Sequence, residues 1–215
     1  MTLPSQREQK KNMSPGFPLS ALKAGLTPGP ARGGIQLASC LTLARGRVHE
    51  IMGDSADVFA LMVAGVADGP VYWIGSWREI ESLSPTGMQD FLDPSRLVLT
   101  CCLNRGETLW AAEQALRARS AACVIAQLQD GPDLRESRRL QIAAEEGGAV
   151  GLTLLRGRAG NSAAETRWQC MARPEGGWEW ICTKHKRGMP GAWRVSWRGK
   201  HHAPDLVPLA ATASA

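Results

Sequence analysis

The sequence predicts an α/β fold in which helices flank a mostly parallel sheet, with an antiparallel hairpin segment extending it toward the C-terminus. Three observations carry that expectation. Short apolar runs such as Val71-Tyr72-Trp73-Ile74 alternate with helix-length segments from residue 48 to residue 155. Those runs are continuously apolar rather than alternating, as in strands covered on both faces by crossover helices. After Arg158 the pattern changes to short segments around Trp168, Trp178, Trp180, Trp193 and Trp197, punctuated by the turns Glu175-Gly176-Gly177 and Gly188-Met189-Pro190-Gly191.

In chain order, residues 1–34 are rich in Pro, Gly, Ser and basic residues without a sustained period, which predicts a flexible leader. The folded core spans residues 35–198. Its predicted elements are a strand over Val48–Met52, a helix over Val58–Ala67 and a strand over Val71–Ile74. A strand over Arg96–Cys101 follows, then a helix over Glu107–Arg119 with Leu109, Ala112 and Leu116 on one face. A strand over Ala122–Ala126 leads to a helix over Leu134–Glu146. That helix is stopped by Gly147-Gly148, with Leu134, Ile142 and Ala143 toward the core and Arg135, Arg138 and Arg139 outward. A strand over Val150–Leu155 and a hairpin segment over residues 156–198 complete the core, where Trp193-Arg194-Val195-Ser196-Trp197 alternates as a half-buried antiparallel strand does. Residues 199–215 lack a period and read as a flexible tail.

Composition narrows the class. The chain has 215 residues, 44% hydrophobic and 21% charged, enough for one globular domain with tails. It contains no apolar run of the ~18 residues that a membrane span needs and no apolar stretch behind its basic N-terminus, which predicts a cytoplasmic protein. Six cysteines without a CxxC pair, several of them inside apolar runs, read as reduced, buried thiols, with no metal site. Residues 156–202 hold ten Lys or Arg against three Glu, whereas residues 1–155 hold fifteen against sixteen acids, so the net charge of +5 is concentrated in the C-terminal third. An anionic partner would meet that third; a solvated set of hairpins is the other reading.

The most informative stretch is Gly46–Ala60, a strand, a turn and an apolar helix in the arrangement of a phosphate-binding loop. Such a loop reads GxxxxGK[ST]: backbone N–H groups wrap the phosphates, the Lys offsets their charge and the hydroxyl holds magnesium. Counting from Gly53 puts Val58, Phe59 and Ala60 where Gly, Lys and Ser/Thr belong. Asp54 and Asp57 would repel a polyphosphate at the helix N-terminus, and Asp54 or Ser55 reads instead as a helix cap. Trp73-Ile74-Gly75-Ser76-Trp77 carries no carboxylate at its strand end, and Cys123–Gln127 ends in a neutral Gln where a magnesium-holding Asp is expected. The loop is degenerate as a cofactor site at Gly53, Val58, Phe59 and Ala60, and no cofactor and no catalytic residue is predicted.

Gly46-Arg47-Val48-His49-Glu50-Ile51-Met52-Gly53 resembles the strand entering the RecA phosphate loop. Leu92–Leu97, Glu107–Leu116, Ser137–Glu145, Ser162–Trp168 and Lys186–Arg194 look more narrowly like the ImuA family, over roughly residues 46–198. The resemblance implies a RecA-like fold related to SulA and a non-catalytic accessory role in SOS-induced translesion synthesis and mutagenic DNA repair. It also implies as partners an ImuB-like Y-family polymerase homologue, RecA and, indirectly, an error-prone replicative-type polymerase. An active RecA-type ATPase and a SulA-type cell-division inhibitor are the competing readings.

Candidate binding residues follow from charge. Arg156 and Arg158 after the last core strand, and Lys184, Lys186 and Arg187 between Trp180 and Trp193, combine cations with aromatic rings as single-stranded DNA sites do. Arg135, Arg138 and Arg139 are candidates for a protein interface, with a solvated helix face as the alternative. His49, flanked by apolar residues, reads as a core histidine. The carboxylates of Glu50, Glu145 and Glu146 have no pattern that brings them together.

Overall fold

The apolar runs form a single large sheet. In this computed structural model, which describes residues 33–199 and 202–209, strands β3 (Arg47–Met52), β4 (Val71–Ser76), β5 (Leu97–Cys102), β6 (Cys123–Leu128), β7 (Val150–Leu155) and β8 (Thr166–Ala172) pair in parallel. Strands β9 (Trp178–His185), β10 (Gly191–Ser196) and β11 (Asp205–Pro208) continue the sheet antiparallel from β8. The order across the nine strands is β11-β10-β9-β8-β3-β7-β6-β4-β5. A separate hairpin pairs β1 (Gly34–Ala38) with β2 (Leu41–Ala44). The leader read for residues 1–34 lies almost wholly outside the described residues.

Helices α1 (Ala56–Val66), α2 (Trp77–Glu81), α3 (Pro85–Met88), α4 (Arg105–Arg117) and α5 (Leu134–Gly147) cover the two faces. On one face α1 and the β1–β2 hairpin pack with Ile51, Trp73, Ile125, Leu152 and Leu154; on the other α4 and α5 pack with Val48, Ile74, Val124 and Ala126. Local chemistry sets the helix ends. Asn104 accepts from the Glu107 N–H at the start of α4, and at α5 Asp133 and Glu136 form a reciprocal capping box of 2.7 and 3.0 Å. Gly148, at φ 81°, ends α5 in the left-handed conformation that favours glycine.

The structure departs from the sequence reading at three places. Leu134 is exposed, because the buried stripe of α5 runs through Ser137, Leu140, Gln141 and Ala144, and its first residue projects past the sheet end. The β1–β2 hairpin was not anticipated, although Ile35, Leu37, Leu41 and Leu43 alternate and are all buried. Within the stretch read as a tail, Asp205–Pro208 adds an edge strand, too short for a period to show.

Buried polar groups are tied into networks. His49, the reading of which as a core residue holds, is 1% exposed. Its Nδ1 lies 2.7 Å from Thr166 Oγ1 and its Nε2 lies 3.2 Å from the Ala44 carbonyl. Trp168 Nε1–H donates to the same Thr166 hydroxyl at 2.7 Å, so the chain of donors Trp168 to Thr166 to His49 to Ala44 is complete with a neutral imidazole. Burial pulls the His49 pKa down to about 4, against the backbone hydrogen bond to Ala44, which raises it. Four cysteines, Cys102, Cys123, Cys170 and Cys182, are buried free thiols, while Cys40 and Cys101 are exposed. Burial pushes the Cys123 thiol up to about 12.

A histidine held low favours the folded state above its unfolded pKa and loses that contribution as pH falls between about 6.5 and about 4, a span worth about 3 kcal/mol. Urea unfolding from pH 7.5 to pH 4.5 is expected to show stability falling on acidification. His49→Gln, which cannot titrate, should show a visibly flatter slope; an identical slope would exclude His49 as the source.

Candidate functional site

The turn between β3 and α1 has only three residues, Gly53, Asp54 and Ser55. The N–H groups that would cradle a phosphate are turned to other work. Ser55 N–H points at the Cys170 carbonyl of β8 (3.4 Å), and the N–H groups of Ala56, Val58 and Phe59 bond to Gly53 or Ser55 carbonyls. Gly53 has φ 107°, and a Cβ there would sit 2.0 Å from Cys170 O. The glycine therefore admits the backbone of β8 against the turn rather than a pyrophosphate.

The acids are also committed. Asp54 Oδ1 accepts from the Ala172 N–H at 2.8 Å, fastening the turn to β8, and Asp57 pairs with Arg156 at 2.9 Å. This corrects the expectation of a side-chain cap. Ser55 stands at the N-cap position, yet neither its hydroxyl nor Asp54 caps the helix, and the Ser55 Oγ is buried without a hydrogen-bond partner among the described residues.

Phe59, where the phosphate-loop lysine would stand, is fully buried with its ring 5.3 Å from that of Trp168 and 4.6 Å from that of Trp180. Ala60 is buried as well, so two of the three positions that would meet the γ-phosphate and magnesium face the core under β8 and β9.

The ends of β4, β5 and β6 border an open depression of about 390 Å³ lined by residues including Ser76, Glu79, Asn104, Arg105, Gln127 and Asp130. Connections diverge there, β4 leading outward to β5 and β6 inward to β7, which is where ligands of open α/β sheets usually bind. Gln127 Oε1 accepts from Trp73 Nε1–H at 2.8 Å, and its buried Nε2 has no partner among the described residues. Sequence reading found no carboxylate at the end of β4 because it counted only the strand. The structure brings Glu79 there from the first turn of α2, where Oε2 accepts from Ser76 N–H (2.7 Å) and Oγ–H (2.8 Å). The capping spacing Ser76-x-x-Glu79 was the signal that would have found it.

The five nucleic-acid candidates do not form one free patch. Lys184 Nζ donates to the Ser162 carbonyl at 2.7 Å and Lys186 Nζ to that of Ala163 at 2.5 Å, so both hold the segment between β7 and β8. Burial draws the Lys184 ammonium below its ordinary value, against the pull of Glu50. Arg187 lies 3.4 Å from Glu165, and Arg156 holds Asp57. Only Arg158 is exposed with no side-chain partner among the described residues. Of the α5 arginines, Arg139 bonds to Glu113 at 2.5 Å, whereas Arg135 and Arg138 are exposed without partners there. Glu50, Glu145 and Glu146 lie in separate pairs with Arg167, Arg47 and Arg117. Much of the basic excess thus answers acids elsewhere in the fold. No group of three His, Cys, Asp or Glu able to hold a metal occurs among the described residues.

Two curated proteins are similar to this chain in sequence over most of their length. Protein ImuA from two strains of Caulobacter vibrioides is 27% identical over 211 residues, covering 86% of this chain and 84% of the relative. The chain is an ImuA homologue. No family model matches it. A match over 86% of the chain includes the β3–α1 turn and β8, so the turn sealed by β8 lies within the ImuA-like part of the chain.

Two substitutions probe this arrangement. Phe59→Lys restores the phosphate-loop residue type but places an ammonium between Trp168 and Trp180; it is expected to collapse the thermal unfolding temperature without creating ATP affinity, while Phe59→Ala costs about 3–5 kcal/mol. Lys184→Met, which leaves the Ser162 carbonyl unpaired, should cost about 1–3 kcal/mol in urea unfolding. Full stability in that variant would return Lys184 to the list of free cations.

Proposed function

We propose that the protein is a non-catalytic accessory of SOS-induced translesion synthesis, linking an ImuB-like polymerase partner to RecA or to DNA. The single observation that carries this reading is the β3–α1 turn. Its glycine and Asp54 are spent on β8, Asp57 is held by Arg156, the first N–H groups of α1 close on Gly53 and Ser55 carbonyls, and Phe59 fills the lysine position from within the core. A domain whose nucleotide seat is occupied by its own strand works through its surfaces. The kinship with Protein ImuA supports a place in the ImuA and ImuB mutagenesis system.

Glu79 gives the competing ATPase reading one supporting feature, a carboxylate at the end of β4 beside the depression. Its Oε2 is held by Ser76, and the phosphates it would serve have no cradle across the sheet. One surface open to a protein partner is α5 around exposed Leu134, Arg135 and Arg138, with Arg158 close by, since the Gly131 N–H donates to the Arg158 carbonyl at 2.8 Å. Three unpaired guanidinium groups around an apolar residue suit an acidic protein surface or a phosphate backbone.

Affinity capture on the full chain tests this. Immobilised protein is expected to retain the ImuB-like partner and RecA equally with and without ATP, and Arg135→Glu with Arg138→Glu is expected to weaken at least one of the two by tenfold or more. Retention of neither partner, or DNA-stimulated ATP turnover by the chain, would overturn the proposal.

A further inference from the structure

Strand β5 ends the nine-stranded sheet, and one side of its backbone ladder is unpaired among the described residues. Sheet edges are normally protected by shortness, charge or proline. The opposite edge follows that rule: β11 has four residues, starts with Asp205 and ends with Pro208. Edge β5 has none of these devices. Its sequence Leu-Val-Leu-Thr-Cys-Cys and the following Leu103 contain no charge and no proline.

The side chains around this edge are apolar and uncovered. The register with β4 sends Leu97, Leu99 and Cys101 to the face that carries α1, and Val98, Thr100 and Cys102 to the other; Val98, Leu99 and Cys101 are exposed. Pairing of Ser76 with Cys102 sets Trp77 beside Leu103 just past the strand ends, and these are 65% and 93% exposed. The position of Leu103 is fixed, because its N–H donates to Glu107 Oε2 at 2.8 Å. These side chains leave apolar surface uncovered on both faces of this edge, of the kind that marks an interaction site.

We infer that β5 is a dimerisation edge, pairing antiparallel with β5 of a second copy of this chain about a twofold axis. In an isologous antiparallel pair residue i faces residue j and j faces i, so only residues of this one strand meet, and an uncharged strand does so without repulsion. The apolar set supplies the centre of the ~800 Å² that each partner buries in an interface of standard size, with main-chain hydrogen bonds along the strand giving the rest. Pairing β5 with β11 of a neighbour would instead propagate into an open fibre, and the aspartate and proline of β11 oppose it. Two copies of the α5 surface would then be presented by one particle. The inference does not rest on the proposed accessory function, since it concerns a different edge of the sheet.

Light scattering of the full chain across a dilution series tests it. The expected mass is twice the 23.2 kDa of one chain, falling to one chain in Leu99→Lys with Leu103→Lys while the thermal unfolding temperature of the dissociated protein stays that of a folded domain. Both positions are exposed, so the substitutions remove no core contact. Hydrogen exchange supplies the second readout: the outward amides of β5 should be protected in the wild-type dimer and at least tenfold faster in the variant. A monomer at every concentration overturns the proposal. If the β5 amides of that monomer slow only when the ImuB-like partner is added, the edge belongs to that partner; if they are slow already, it is covered from within the chain.

Discussion

Phe59 packed between Trp168 and Trp180 is the contact on which the rest of the molecule depends. It couples the first turns of α1 to β8 and β9, and so joins the parallel core to the antiparallel extension. Tilted aromatic pairs at these centroid separations add to what burial alone contributes. The backbone reinforces the junction, with Asp54 on the Ala172 N–H and Gly53 lying against Cys170. The first N–H groups of α1 are bonded within the protein. The C-terminal third is consequently part of the core, because β8 lies parallel beside β3 and supplies the roof of the turn.

Electrostatics follow the same division. The basic excess of residues 156–202 looks like a surface for an anion when read along the chain. In three dimensions Arg167 answers Glu50, Arg156 answers Asp57, and Lys184 and Lys186 satisfy carbonyls of the segment entering β8. Most of these cations act within the fold. Among the described residues Arg158 after β7 and Arg194 on β10 are the exposed cations of this third with no side-chain hydrogen bond or ion pair, and on α5 Arg135 and Arg138 are in the same condition. The free guanidinium groups of α5 and of the segment after β7 lie toward the C-terminal end of the parallel strands.

The parallel strands were legible because burial on both faces leaves an apolar run that few other elements produce. Val150–Leu155 was located to the residue, and the reading of a helix over Leu134–Glu146 stopped by Gly147-Gly148 falls one residue short of α5. Phase was less legible than existence: Leu134 opens α5 with an apolar side chain that the helix carries past the end of the sheet into water. The residue types of the β3–α1 turn were readable from the sequence, whereas its packing against β8 was not, since that contact joins residues more than a hundred positions apart. Partner choice among charges was hidden for the same cause. A lysine that satisfies a carbonyl and one that meets solvent look alike in a sequence.

The central claim is that the seat of the nucleotide is filled by the protein itself. Calorimetric titration of magnesium-ATP into the full chain measures this most directly. The account predicts no saturable heat at any accessible concentration; saturable, magnesium-dependent binding that is abolished by substitution in the turn from Gly53 to Ser55 would contradict it.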